Sequence, residues 1–228
     1  MVKDLQQKTN FWHDVLLVSA HILLSLLVFI IIIAIIVFLT RKPLRQLKFI
    51  DLSIFDKVSR MESRGLSRFM LFITFLGKHP FLIPANLLLI FYFLFVRRHS
   101  WFSVRVAAIS LSSLLLMLVL KKLFRRKRPL EPLLKAVRGL SFPSGHAIMS
   151  VSFFGLLIYI LNNTMNDPVV LTILTVLLVI LIFLIGFSRI YLRVHYASDV
   201  FSGFVIGTAW LLVSLQILDK IELLIRNV

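Results

Sequence analysis

Val169 to Phe187 reads VVLTILTVLLVILIFLIGF, nineteen consecutive residues without a charge. A bilayer's hydrocarbon core, about 30 Å thick, needs roughly 20 apolar residues in a helix, so this stretch is read as a membrane span. On its N-terminal side Asp167-Pro168, after LNNTMN, marks a tight turn, and beyond that turn lies another apolar run. Working outward, six such segments emerge, at roughly 14–39, 69–96, 101–120, 145–161, 169–187 and 197–218. Composition agrees: 59% of residues are hydrophobic and the mean hydropathy is +0.96, against about 45–50% apolar in soluble domains. The expected fold is all-α, a polytopic membrane protein of six transmembrane helices forming a single domain over 1–228.

Local features refine this reading. The second segment holds Gly77, Pro80 and Pro84, which predict a kink or a late start. Thr40 to Ser67 is the longest connection, and its FIDLSIFDKVSR alternates apolar and charged positions at helical spacing, as an interfacial helix after the first span does. The first apolar stretch is too long for a secretory leader and is expected to remain as an anchor. Gly203 and Gly207 form a G-x-x-x-G, expected to seat one helix closely on another inside the bundle. With no cysteine, disulfides and thiolate metal sites are excluded.

The net charge is +16. Its basic residues sit in short connections between spans, with no separate basic module, so a phosphate substrate and anionic headgroups are the expected partners rather than nucleic acid. No obligate protein partner is evident. If all six segments cross, the connections after the first, third and fifth spans share one membrane face with the start of the fourth. That face collects three short motifs: KKLFRRKRP at Lys121 to Pro129, PSGH at Pro143 to His146, and SRIYLRVHYASD at Ser188 to Asp199.

Each motif suits phosphoryl chemistry. If helix runs through His195 and Asp199, four residues apart, they share a face. A carboxylate that orients one imidazole nitrogen frees the other to attack; taken alone, the pair could equally cap or anchor a span. His146 stands where a helix begins, beside unpaired N–H groups and the positive end of a dipole. Ser144 can donate its hydroxyl, Gly145 lets backbone approach a ligand, and a second histidine across the phosphate could protonate the leaving alkoxide. The bland alternative is a serine cap with an incidental histidine. Lys121, Arg128 and Arg189 supply charge for phosphoryl oxygens, whereas Lys122, Arg125, Arg126 and Lys127 are read as topology anchors. His79, in a loop reading, and His13 and His21, near the first span, are given no catalytic part.

Lys121-x6-Arg128-Pro129, Pro143-Ser144-Gly145-His146 and Ser188-Arg189-x5-His195-x3-Asp199 together resemble the tripartite signature of the type 2 phosphatidic acid phosphatase superfamily, which includes glucose-6-phosphatase and the soluble vanadium haloperoxidases. The motifs occupy residues 121–199, and the six-span pattern extends the likeness over most of the chain. The resemblance implies a metal-independent phosphatase with a phosphohistidine intermediate. By it His195 attacks phosphorus, Asp199 orients it, and His146 protonates the leaving group and then activates water. Lys121, Arg128, Ser144, Gly145 and Arg189 would hold the phosphate, with no cofactor.

A two-metal phosphatase site needs convergent carboxylates. The chain has only ten Asp and Glu residues, and Glu131 in RPLEP reads as a loop residue countering basic neighbours. The substrate expected is a lipid phosphate monoester or a polyprenyl pyrophosphate, because the compact chain resembles bacterial phosphatidylglycerophosphate and undecaprenyl pyrophosphate phosphatases. The alternatives are a lipid-to-lipid phosphotransferase using the same site and a noncatalytic lipid-binding membrane protein. Eighteen of 26 Lys and Arg residues lie in 41–68, 121–138 and 189–193, which by the positive-inside rule puts the motifs in the cytoplasm. The resemblance implies an extracytoplasmic site, and the outer face of the cell membrane is the expectation adopted.

Overall fold

The computed structural model describes residues 44–129 and 139–226, together with 16–17, 19–20, 23–24, 26–31 and 33–35. These residues build α1 (Leu26–Ile35), α2 (Leu44–Ser59), α3 (Arg64–Leu76), α4 (His79–Val96), α5 (Ser100–Phe124), α6 (Gly145–Thr164), α7 (Pro168–Tyr191) and α8 (Ala197–Arg226), with no strand among them. The fold is all-α, and α4 to α8 are each long and apolar enough to cross a bilayer. The segment expected over 14–39 lies partly outside the described residues; those described within it, at 16–17, 19–20 and 23–24 and in α1, are helical.

The second apolar segment is not one helix over 69–96. Ser63 caps α3 by accepting the Leu66 N–H at 3.3 Å, and Gly77 ends it. Pro80 then falls in the first turn of α4, where its missing N–H removes no helical bond. The span therefore starts late, at His79, and Pro84 is carried inside it. The turn at Asp167 forms as its sequence implies: the carboxylate accepts the Val169 and Val170 N–H groups at 2.9 and 3.1 Å, with Pro168 opening α7.

Burial sorts the spans by role. Over the most apolar window of α6, 56% of residues are buried, against 11% for α7. The central helix α6 packs on α5, α7 and α8, and the glycines of α8 make that seat possible. A Cβ on Gly203 would lie 2.8 Å from the Ala147 Cβ and 2.9 Å from the Ser144 oxygen, and one on Gly207 3.2 Å from the Ile148 Cα. The G-x-x-x-G thus serves packing within the bundle, and it draws the start of α6 against the start of α8.

The helix α2 packs on α7 and α8. It exposes Phe49, Ile50 and Leu52 while burying Asp51. A carboxylate facing the protein from such a helix requires a counter-charge, and Arg126, just beyond α5, provides it.

Candidate active site

The starts of α6 and α8 meet the end of α7 and the segment after α5, so residues far apart in sequence share one end of the bundle. Asp199 lies in the first turn of α8, fully buried. Its Oδ2 accepts the Tyr196 N–H at 2.9 Å and a short hydrogen bond from Ser141 Oγ, and its Oδ1 accepts Arg126 Nη1 at 2.7 Å. Its own carbonyl accepts the Ser144 N–H at 3.0 Å, which ties the second motif to the third. A carboxylate held at this many points is fixed in orientation.

His195 reaches Asp199 differently from the helical spacing expected. The helix α8 begins only at Ala197, so His195 stands on the turn before it. The Val194 and His195 N–H groups both bond the Arg189 carbonyl, at 3.1 and 3.2 Å, and Arg193 takes a left-handed φ of 53°. This turn aims His195 Nδ1 at Asp199 Oδ2, 3.6 Å away, with Ser141 Oγ at 3.5 Å. The 3.6 Å separation is longer than a formed hydrogen bond, and the Ser141 contact is at the long limit of one. Burial lowers the His195 pKa to about 4, while the Asp199 carboxylate pulls upward. The ring is therefore neutral near pH 7, and with Nδ1 turned to Asp199 the nitrogen left free of that carboxylate is Nε2.

Around this pair stand cations without carboxylate partners among the described residues. Lys121 Nζ donates to the Leu140 carbonyl at 2.9 Å, and Arg128 to the Gly139 and Val194 carbonyls, each at 3.2 Å. Burial also lowers the Arg128 pKa. Arg189 Nη1 donates to Thr74 Oγ1 at 2.6 Å, leaving its buried Nε without a partner. Lys121, Arg128 and Arg189 lie within electrostatic reach of one another, as do His146, His195 and Arg189. Three cations gathered this way call for an anion between them.

Ser144 is the N-cap residue of α6, and His146 follows in the first turn. The Gly145, His146 and Ala147 N–H groups have no intrahelical acceptor there. Ser144 Oγ and His146 Nε2 are buried and unpartnered among the described residues. Gly145, expected to let the backbone approach a ligand, also has a packing role. A Cβ on it would fall 2.5 Å from Met117 Sδ and 3.8 Å from Lys121 Cε, so its bareness serves the packing of α6 on α5. Gly77 has a comparable part at the other side of His146, where a Cβ would approach the ring carbon Cδ2 to 3.0 Å. His79 is the exposed first residue of α4 rather than a loop residue. Glu131, His13 and His21 lie outside the described residues.

Four residues outside the expected set are built into the site: Asp51, Thr74, Arg126 and Ser141. Arg126, read from the sequence as a topology anchor, is also ion-paired inside the bundle. Its guanidinium bridges two buried carboxylates, Asp199 at 2.7 Å and Asp51 at 2.8 Å, also bonds Ser198 Oγ at 2.8 Å, and lies 4.3 Å from the centre of the Tyr196 ring. Asp51 in turn accepts the Ser198 N–H at 3.0 Å and its hydroxyl at 2.7 Å. The only sequence signal for this was an acid placed among apolar residues in α2.

Arg126→Lys keeps the charge but loses the planar fork. Losing one charge-assisted hydrogen bond, worth about 1.5 kcal/mol, should lower kcat about tenfold with KM little changed, because the Arg126 guanidinium is taken up by Asp199, Asp51 and Ser198. Steady-state kinetics of the purified variant check this. A loss confined to KM, or wild-type kinetics, would count against the positioning role.

Comparison with known proteins places these features in context. A family model described as the PAP2 superfamily matches residues 102–222. Phosphatidylglycerophosphatase B of Bacillus subtilis (strain 168) is 31% identical over 147 residues, covering 62% of this chain and 70% of that protein. Among solved structures, a transmembrane PAP2-type phosphatidylglycerolphosphate phosphatase from Bacillus subtilis matches with a TM-score of 0.69 at 25% identity, over 85% of this chain and 94% of that one. Aquifex aeolicus LpxE matches with a TM-score of 0.56 at 26% identity, over 72% and 93% respectively.

Proposed function

The chain belongs to the PAP2 superfamily, and on that premise we propose that this membrane lipid phosphatase removes phosphate from a lipid phosphate monoester or a polyprenyl pyrophosphate through a phosphohistidine at His195. One observation carries the reading. Three buried polar atoms, Ser144 Oγ and His146 Nε2 at the start of α6 and Arg189 Nε in the last turn of α7, have no partner among the described residues. They stand with Lys121 and Arg128 around the neutral His195, and buried polar atoms left unpaired are costly. A phosphoryl group, with oxygens on several sides, satisfies such a set.

In the first step the His195 Nε2 lone pair attacks phosphorus and the bond from phosphorus to the lipid oxygen breaks, that oxygen taking a proton from His146. In the second, His146 takes a proton from water as its oxygen attacks phosphorus. The N–P bond then breaks, releasing inorganic phosphate and restoring both histidines. Asp199 balances charge on His195 as its Nε2 bonds to phosphorus, while Lys121, Arg128, Arg189, Ser144 and the amides of the first turn of α6 hold the equatorial oxygens, where charge concentrates in phosphoryl transfer.

Phosphatidylglycerophosphate leads the candidate substrates, because the Bacillus subtilis phosphatase matched both in sequence and in solved structure is named for it. The test is phosphate release by the purified chain from a panel of lipid phosphates and polyprenyl pyrophosphates. Turnover should persist in EDTA, since cations of the protein occupy the place of metal ions, and vanadate should compete by adopting the five-coordinate geometry of transfer. Strict dependence on added Mg²⁺ would overturn the metal-free reading. Transfer of label to an acceptor lipid with little free phosphate would instead favour a phosphotransferase.

The site is proposed to face outward from the cytoplasm. Four of the basic residues crowded on its face, Lys121, Arg126, Arg128 and Arg189, are engaged in the site itself, so their placement follows the chemistry. With cysteines introduced at Met61 and Asn166, an impermeant thiol reagent applied to intact cells should label the Met61→Cys variant and not the Asn166→Cys variant. The reverse pattern would place the site on the inner leaflet.

A further inference from the structure

The far end of the bundle holds a second polar site that the hydrolytic mechanism does not use. The spans α4 and α5 run between the two ends. Gly77, beside His146, is separated by about 18 residues, roughly 27 Å of helix, from the end of α4, and Arg105 lies about 24 Å along α5 from Lys121. At that end a cavity of about 400 Å³ is lined in part by Phe93, Arg97, His99, Phe102, Arg105 and Tyr159.

Arg105 is only 4% exposed. Its Nη2 is shared between Asp219 at 2.7 Å and Glu222 at 2.5 Å, and Arg226 also binds Glu222 at 2.5 Å. Two carboxylates are thereby balanced by two guanidinium groups. Arg97 remains unbalanced, with no ion pair among the described residues. The Arg105 Nε and His99 Nδ1 are buried without partners among the described residues, although both residues line the cavity and the Arg105 Nη2 is ion-paired twice. A purely structural network has no need of a cavity, an excess positive charge and two unpaired buried nitrogens in one place.

We propose that this cavity binds the phosphodiester of an anionic phospholipid in the leaflet opposite the active site. The phosphate oxygens would accept from Arg105 Nε and His99 Nδ1, with Arg97 closing over them from the exposed side. A lipid fits better than free phosphate because the cavity lies at the ends of two membrane spans, α4 and α5, and the last turns of α4 expose Phe91, Phe95 and Val96 to acyl chains. The His99 ring, stacked on Phe102 at 4.3 Å between centroids, is held in place for such a contact.

The test compares the purified full chain with Arg97→Ala/His99→Ala, which leaves the Arg105 ion pairs intact, and with Arg128→Ala as the active-site control. Binding of phosphatidylglycerol, diacylglycerol and inorganic phosphate is followed by native mass spectrometry from detergent. The double variant should bind phosphatidylglycerol about tenfold more weakly, a loss of about 1.4 kcal/mol, while Arg128→Ala retains it and the double variant still hydrolyses a water-soluble phosphate monoester. Should the double variant fail to fold, Arg97→Gln alone serves, with a smaller loss in the same direction. Unchanged lipid binding in the folded variant overturns the proposal, as does loss only in Arg128→Ala, which would place the lipid in the catalytic site. Equal binding of diacylglycerol would show that phosphate is not recognised, and equal binding of inorganic phosphate that no lipid is required; either result also overturns it.

Discussion

Replacing His195 by alanine is expected to abolish phosphate release, with a loss of about 10⁴-fold or more, because under the proposed mechanism it removes the atom that bonds to phosphorus while leaving every group proposed to hold phosphate in place. The loss should be chemical rather than structural. Asp199 keeps its bonds to Arg126, Tyr196 and Ser141 without the imidazole, and α8 begins beyond the substituted residue. The ring is buried, so alanine also leaves a cavity, and His195→Gln serves as the control of similar volume. Both variants should insert in the membrane and elute as wild type, and both should be inactive. Turnover near the wild-type rate in either would remove His195 from the mechanism.

The second large effect concerns His146. Its alanine variant should lose about 10²- to 10⁴-fold on a natural substrate, the usual worth of a positioned acid or base. The loss should depend on the leaving group. A lipid alkoxide needs a proton as it departs, whereas a phenolate with electron-withdrawing groups does not, so an activated aryl phosphate should recover much of the first step. The second step still lacks its base, and the phosphoenzyme should therefore accumulate. Equal loss on good and poor leaving groups would deny His146 the acid role and leave it as a phosphate-binding group.

Much of this was readable from short-range spacing. Lys121 with Arg128, Ser144 with His146, and Arg189 with His195 and Asp199 are each set by a few intervening residues, and the apolar spans dictate that the motif ends gather at one end of the bundle. What stayed hidden depends on tertiary pairing. Arg126 looked like any cation among KKLFRRKR, and only the fold brings it to Asp199 and to Asp51 on α2. Ser141 and Thr74 carry no motif, yet they bond Asp199 and Arg189. The i,i+4 reading of His195 and Asp199 found the right partners by the wrong geometry, because a turn and a folded-back carboxylate, rather than one helix face, bring them near. A hydropathy pattern likewise merged α3 and α4, since the break at Gly77 and Lys78 is short beside the apolar residues on either side.

The central claim is the covalent bond to His195. Rapid acid-free quenching of the His146→Ala variant with an activated substrate carrying labelled phosphate, followed by peptide mapping, measures it directly. The account predicts a stoichiometric burst of label on the peptide holding His195, stable to base and labile to acid as a phosphoramidate is, and no label when His195→Ala is combined with the same variant. Product formation with no protein-bound phosphate, or with label on another residue, would contradict it.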